Sequence, residues 1–244
     1  MVSPEPSARL LDAQHRQPEG NARVSPRSGA TRAKLIAVAE RLFADQGVQA
    51  VSLNEVNKAA QQRHGSACQY HFGNKDGLIQ AILDKHVPLI ARQRDHLFDE
   101  MEAGGGVPAI EHVVAAFARP VAAKLLDPDG GKEFVRLNAQ LVAVHTLALR
   151  QAGSASFSAP LTERLKHMLY QALKGRGIPA HVADRRLIIA SVMLFHGLAD
   201  YSHVLEGSGA LDDANIRMFT ADLEAMMVAA LVAPLDKREN DDVQ

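Results

Sequence analysis

The chain has 244 residues, 47% of them apolar, enough to bury a core without disulfide or metal staples. Its single cysteine, Cys68, excludes an internal disulfide framework and a Cys-rich zinc site. With 27 basic and 28 acidic residues it does not resemble a uniformly basic nucleic-acid coat protein. The charge is uneven along the chain, however. Residues 24–90 hold eight Lys/Arg against five acids, net +3, and residues 91–244 are net −4. A basic front and an acidic rear permit an anionic partner at the front. No continuous apolar run reaches the roughly 18 residues of a membrane-spanning helix. The opening "MVSPEPSARLLDAQHRQPEG" lacks the apolar h-region of a signal peptide. The expected location is the cytoplasm.

Residues 1–28 are rich in Pro, Ser, Gly, Gln and Arg without a sustained period and read as a disordered tail. From Thr31, Leu35, Ile36, Val38, Ala39, Leu42 and Phe43 recur at helical spacing, and Gly47 ends the run as a C-cap. In "VSLNEV", Ser52 and Glu55 form a capping box and Val51 and Val56 a hydrophobic staple, so a second helix runs from Leu53 to about Ala60. A third helix is expected from about Gly65 to about Phe72. Asn74 can N-cap a fourth, in which Pro88 predicts a kink or break and a domain boundary. After the loop at 102–108, helical segments follow at 107–126, 132–151, 161–174, 180–205 and 213–232. No strand alternation, repeat or Gly-rich phosphate loop interrupts them, so the fold class is all-α. The expected division is a tail at 1–28, a helix-turn-helix domain at 29–87, a helical effector-binding and dimerisation domain at 88–236, and a disordered tail at 237–244.

Three short helices with a tight turn before the last make a helix-turn-helix, which lays its last helix in the DNA major groove. On that helix Cys68 and Phe72 are four apart and can face inward, leaving Ser66, Gln69 and Tyr70 outward. The small residues Gly65, Ser66 and Ala67 let the backbone approach the groove floor. Gln69 suits adenine and Arg63 suits guanine, both in bidentate fashion. Tyr70, Lys75 and the amino end of the fourth helix suit phosphate oxygens. The enzymatic alternative would pair Cys68 with His64 or His71 as a nucleophile. It lacks an oxyanion-hole loop, and these residues crowd one short helix.

The stretch "TRAKLIAVAERLFADQGVQAVSLNEVNKAA…SACQYHFGNKDGLIQAIL" resembles the DNA-binding domain of the tetracycline-repressor (TetR) family of bacterial regulators. The likeness lies in "LFADQG", the "VSLNEV" capping box and above all "YHFGNKDGL", and it covers about residues 31–83. It implies that Ser52 contacts phosphate and that Arg63, His64, Ser66, Ala67 and Gln69 face bases or the adjacent backbone. It also implies that Tyr70, His71 and Lys75 clamp phosphates. Three positions depart from the family pattern. Gln62 stands where the turn often has Gly, His64 where a Ser, Thr or Asn cap is usual, and Cys68 where the inward residue is larger.

In the rear part, polar groups interrupt the apolar stripes: Arg136, Asn138, Gln140 and His145 on one segment, His196 and Tyr201 on another. These are the candidate contacts of a small-molecule effector buried between helices. His196, Asp200 and His203 share a helix face, but the two histidines stand about 10 Å apart along the axis. A polar edge of a subunit interface is therefore favoured over a metal site, and no cofactor is expected. Segments 180–205 and 213–232 are apolar around much of their circumference, which fits either internal core helices or a dimer interface. The resemblance favours a homodimer on a palindromic operator of double-stranded DNA, released when an effector shifts the dimer toward wrongly spaced heads. Repression comes from the resemblance alone. An activator of the same fold and a helical adaptor that binds no DNA are the alternatives.

Overall fold

The computed structural model describes residues 26–148 and 163–235, with the side chains of α6 described up to Val142. The two expected disordered tails lie outside these residues, except that 26–28 are already helical. Among the described residues the chain forms nine α-helices and a short 3-10 turn, and no strand. They are α1 (Pro26–Gln46), α2 (Leu53–Ala59), α3 (Ala67–Phe72), α4 (Lys75–Ala103), α5 (Ile110–Ala122), α6 (Gly131–Ala148), α7 (Glu163–Gly175), α8 (Ala180–Ser208) and α9 (Asp213–Leu231). The all-α expectation holds.

Helix α1 is described from Pro26 onward. It closes at Gly47, at φ +90°, where a glycine turns the chain without a Cβ penalty. The buried stripe Leu35, Ile36, Ala39 and Phe43 packs α1 against α2, α4 and α6. At the start of α4, Asn74 Oδ1 accepts from Gly77 N at 2.8 Å, as expected of its cap. A Cβ on Gly77 would collide with the carbonyl oxygen of Phe72, so glycine is what lets α3 and α4 meet in so short a corner.

Helix α4 runs through Pro88 without the expected break. Pro88 and Asp84, whose carbonyl loses its helical partner, both face solvent, so water can satisfy that carbonyl. On the other side Ile82, His86, Ile90, Arg94 and Phe98 are buried, so both halves of the helix pack against the core. A second proline, Pro120, sits inside α5 at a buried position that the sequence reading passed over.

The rear helices share one core with the front three. Helix α8 packs on α6, α7 and α9, and α9 packs on α5. An 18-residue window of α8 reaches a mean hydropathy of 1.3, so by length and composition this helix could cross a membrane. Its packing assigns it instead to the core, along a stripe that includes Leu187, Leu194, Phe195 and Leu198. Gly197 faces Leu223 and Phe219 of α9, and Ala190 and Ser191 are buried on α8. These small residues serve packing within the chain. Ala225 and Ala229 remain exposed on α9.

Candidate nucleic-acid interface

The second helix starts where its sequence requires. Glu55 N donates to Ser52 Oγ at 3.2 Å, and Ser52 N and Oγ donate to Glu55 Oε2 at 2.6 and 2.7 Å. The hydrogen bonds from Ser52 hold the Glu55 carboxyl below its ordinary pKa. Ser52 is exposed at the amino end of α2, where unpaired backbone N–H groups favour an anion.

The turn that follows is built differently from expectation. The left-handed residue is Gln61, at φ +54°, one position before Gln62. A non-glycine residue there costs about 1 kcal/mol. Gln61 N donates to Lys58 O and Gln62 N to Asn57 O, both at 3.0 Å, which closes the end of α2. Helix α3 begins at Ala67, two residues later than expected, so Ser66 and not His64 occupies its cap position. The Ser66 side chain makes no capping bond. Asn57 of α2 supplies one from behind. Its Oδ1 accepts from Cys68 N at 2.9 Å and its Nδ2 donates to Gly65 O at 2.5 Å. Asn57 is only 2% exposed, and the sequence reading overlooked it. The cue was there: an Asn on the apolar face of a short helix must find partners inside.

With that anchoring the outward residues separate cleanly from the inward ones. Cys68 is fully buried, and Phe72 packs against the core with the Arg32 guanidinium 5.2 Å from its ring. Arg63, His64, Ser66 and Gln69 are exposed, and Tyr70 is 83% exposed, a large cost in uncovered ring for a residue with no outside partner. Ala67 and His71 are half-buried, His71 with its ring edge-on to Tyr70 at 5.1 Å. Lys75 is tied down: its Nζ donates to Val48 O at 2.9 Å, although two of its three N–H groups stay available. The structure therefore gathers Arg63, His64, Ser66, Gln69 and Tyr70 on one open face, with Ser52 exposed at the start of the preceding helix. Burial pushes the Cys68 thiol up to about 11, which keeps it protonated and unfit as a nucleophile.

Most of the candidate effector residues are engaged in contacts within the chain. Arg136 Nη2 donates to Ser202 Oγ at 3.1 Å and pairs with Glu206, and Asn138 Nδ2 donates to Phe134 O at 2.8 Å. Gln140 bonds Val48 and Phe43 of the front helices. Tyr201 stacks on Phe219 at 3.9 Å between centroids, His196 is half-buried on α8, and the side chain of His145 lies outside the described residues. A cleft of about 740 Å³ opens elsewhere, between α4, α5 and α9. Leu97, Met101, Ala115 and Val228 line it, and an Arg119–Glu224 pair at 2.9 Å borders it. None of the described candidates lines this cleft. Among the described residues no group of three or more His, Cys, Asp or Glu could hold a metal ion.

Residues 35–82 match the family model for bacterial regulatory proteins of the tetR family, so the chain carries a tetR-family DNA-binding domain. No curated protein matches the chain. A solved structure described as "Molecular basis for control of antibiotic production by a bacterial hormones" is 21% identical, with a TM-score of 0.42. The match covers 82% of this chain and 97% of that one.

Proposed function

We propose that this chain, a DNA-binding transcriptional regulator of the tetR family, acts as a homodimeric repressor in the cytoplasm. It holds a palindromic operator until a small molecule releases it. The reading divides the chain as its sequence does, with DNA recognition in residues 29–87 and effector binding and dimerisation in 88–236. The observation that carries it is the single open face of Arg63, His64, Ser66, Gln69 and Tyr70, fixed from behind by Asn57. Arg63 and Gln69 read bases, with His64, Ser66 and Ala67 against the groove floor. Ser52, Tyr70, His71 and the free donors of Lys75 hold phosphates.

Dimerisation rests on α8 and α9. Ile189 (54% exposed) and Val204 on α8, with Met218 and Met226 on α9, leave an apolar face open to water. Asp200 and His203 lie exposed beside it on α8. The effector enters the α4–α5–α9 cleft, whose mixed lining of apolar residues with Glu100, Glu111, His112, Arg119 and Glu224 suits a small organic molecule that carries polar groups. Because α4 joins this cleft to the reading head, a ligand that favours one placement of α4 shifts the dimer between DNA-competent and incompetent states.

The test is binding to palindromic duplexes, taken from the DNA beside the coding sequence or selected from a randomised library, in rising salt. Affinity should fall steeply as log salt rises. Salt-independent binding, or none, would end the DNA reading and leave the helical adaptor.

A further inference from the structure

Gln140 joins the rear helices to the front through two hydrogen bonds to one turn. Val48 N donates to its Oε1 at 2.8 Å, and its Nε2 donates to Phe43 O at 2.9 Å. Only one orientation of the carboxamide serves both, because Val48 offers a donor and Phe43 an acceptor. Phe43 O lies at the end of α1 and already accepts from Gly47 N at 3.1 Å. The other side of the same turn is held as well, by Lys75 Nζ on Val48 O at 2.9 Å. Lys75 opens α4 immediately behind the reading helix, and the turn itself runs on to Ser52, the cap of α2. A single backbone residue, Val48, is thus gripped from α6 through its N–H and from α4 through its C=O.

We propose that Gln140 is a positioning residue that sets the reading head at a fixed angle to the C-terminal helices, and so fixes the separation of the two heads in the dimer. The inference rests on the DNA-binding reading above. Other contacts along this seam are less exacting. Lys85 bonds Glu40 and Asp129, each at 2.9 Å, His86 bonds Glu40 at 2.8 Å, and the His86 ring tilts over Phe134 at 4.7 Å. Ion pairs and ring contacts tolerate small slides. The paired amide bonds are more directional, since one carboxamide must meet a donor and an acceptor on the same turn at once. On this proposal the two bonds latch α6 to the turn, and losing them unlatches it. Once unlatched, each head is free to sample several angles.

The experiment uses the full chain, Gln140→Leu and Gln140→Glu, and the palindrome that the unmodified protein selects from a randomised library. Leucine keeps the volume and loses both bonds. Glutamate keeps the acceptor for Val48 N–H and loses the donor to Phe43. Affinity is measured for that palindrome, for duplexes with one or two base pairs added to or removed from its centre, and for a single half-site. Amide exchange at Val48 reports the latch directly. The expected result for Gln140→Leu is faster Val48 exchange, about tenfold weaker binding to the native spacing, flattened discrimination between spacings, and unchanged half-site affinity. Gln140→Glu should fall between. Faster exchange with spacing preference intact would make Gln140 a merely structural contact and overturn the proposal. Loss of half-site and palindrome binding alike would also overturn it. Failure of the unmodified protein to bind any duplex would instead fail the DNA-binding reading, and is seen before any variant is made.

Discussion

Arg94 Nε donates to the carbonyl oxygen of Ala116 at 3.4 Å, and Ala116 stands four residues before Pro120. Proline has no N–H, so the acceptor that Arg94 meets is the one that α5 itself leaves bare. The arginine is wholly buried, with its guanidinium 5.6 Å from the Phe117 ring, and burial pulls its pKa down to about 10. Two residues costly in isolation, a buried cation and a mid-helix proline, thus offset each other across the α4–α5 seam. A double-mutant cycle measures this. Pro120→Ala restores the helical donor to Ala116, so Arg94→Met should cost about 1 kcal/mol less in that background than in the unmodified chain. Urea unfolding of the four proteins gives the coupling, and strictly additive values would show that the two sites are independent.

Asn57 predicts a different kind of loss. Asn57→Ala removes the partner of the Cys68 amide at the base of the reading helix. The expected cost is about 2 kcal/mol of unfolding free energy. Asn57→Asp keeps the acceptor but sets a buried carboxylate oxygen against Gly65 O, so at neutral pH it should cost at least as much. An unfolding midpoint unmoved by the alanine change would deny Asn57 its role as the surrogate cap.

These two cases show what the sequence disclosed and what it hid. The capping box at Ser52, the Asn74 cap and the inward pair Cys68 and Phe72 all act within four residues, and each was readable from spacing. The helix-turn-helix was legible for the same reason. The bonds of Gln140 to the front helices were not legible, because its partners lie 92 and 97 residues away, a distance at which periodicity carries no information. Pro88 suggested a break because spacing does not reveal that its bare carbonyl faces water. The turn was placed one residue late and α3 two residues early, since Asn57 defines that corner and its reach is tertiary.

Glu206 ties α8 to α6 through Lys132 and Arg136. Burial pushes its carboxyl pKa up, but the hydrogen bonds and charges of Lys132 and Arg136 outweigh burial and hold it below the ordinary value. A pKa lowered on folding contributes stability above the unfolded value of about 4.3 and loses it as pH falls through the folded value. Glu206→Gln should therefore lower stability at pH 7 by about 1 kcal/mol or less, the pair being partly exposed. The difference should vanish in acid, below the folded pKa. Urea titrations at both pH values check this, and an equal deficit at both would point to lost packing instead.

The open face of α8 and α9 makes a prediction about assembly. Met226 is 51% exposed, so Met226→Glu should leave the fold of one chain intact while placing two charges against each other in a two-fold interface. Sedimentation should show a dimer for the unmodified protein and a monomer for the variant. Palindrome affinity should drop by about 10² or more as the second half-site becomes a separate binding event. A variant that still sediments as a dimer would place the interface elsewhere.

The chain's one thiol sits at the root of the reading helix, fully covered and protonated up to about pH 11. Alkylating reagents and oxidants can reach it only when α3 swings away from α2 and α4. The rate at which a maleimide consumes Cys68 is therefore a built-in clock for the breathing of the head, with no label to introduce and no competing site to subtract.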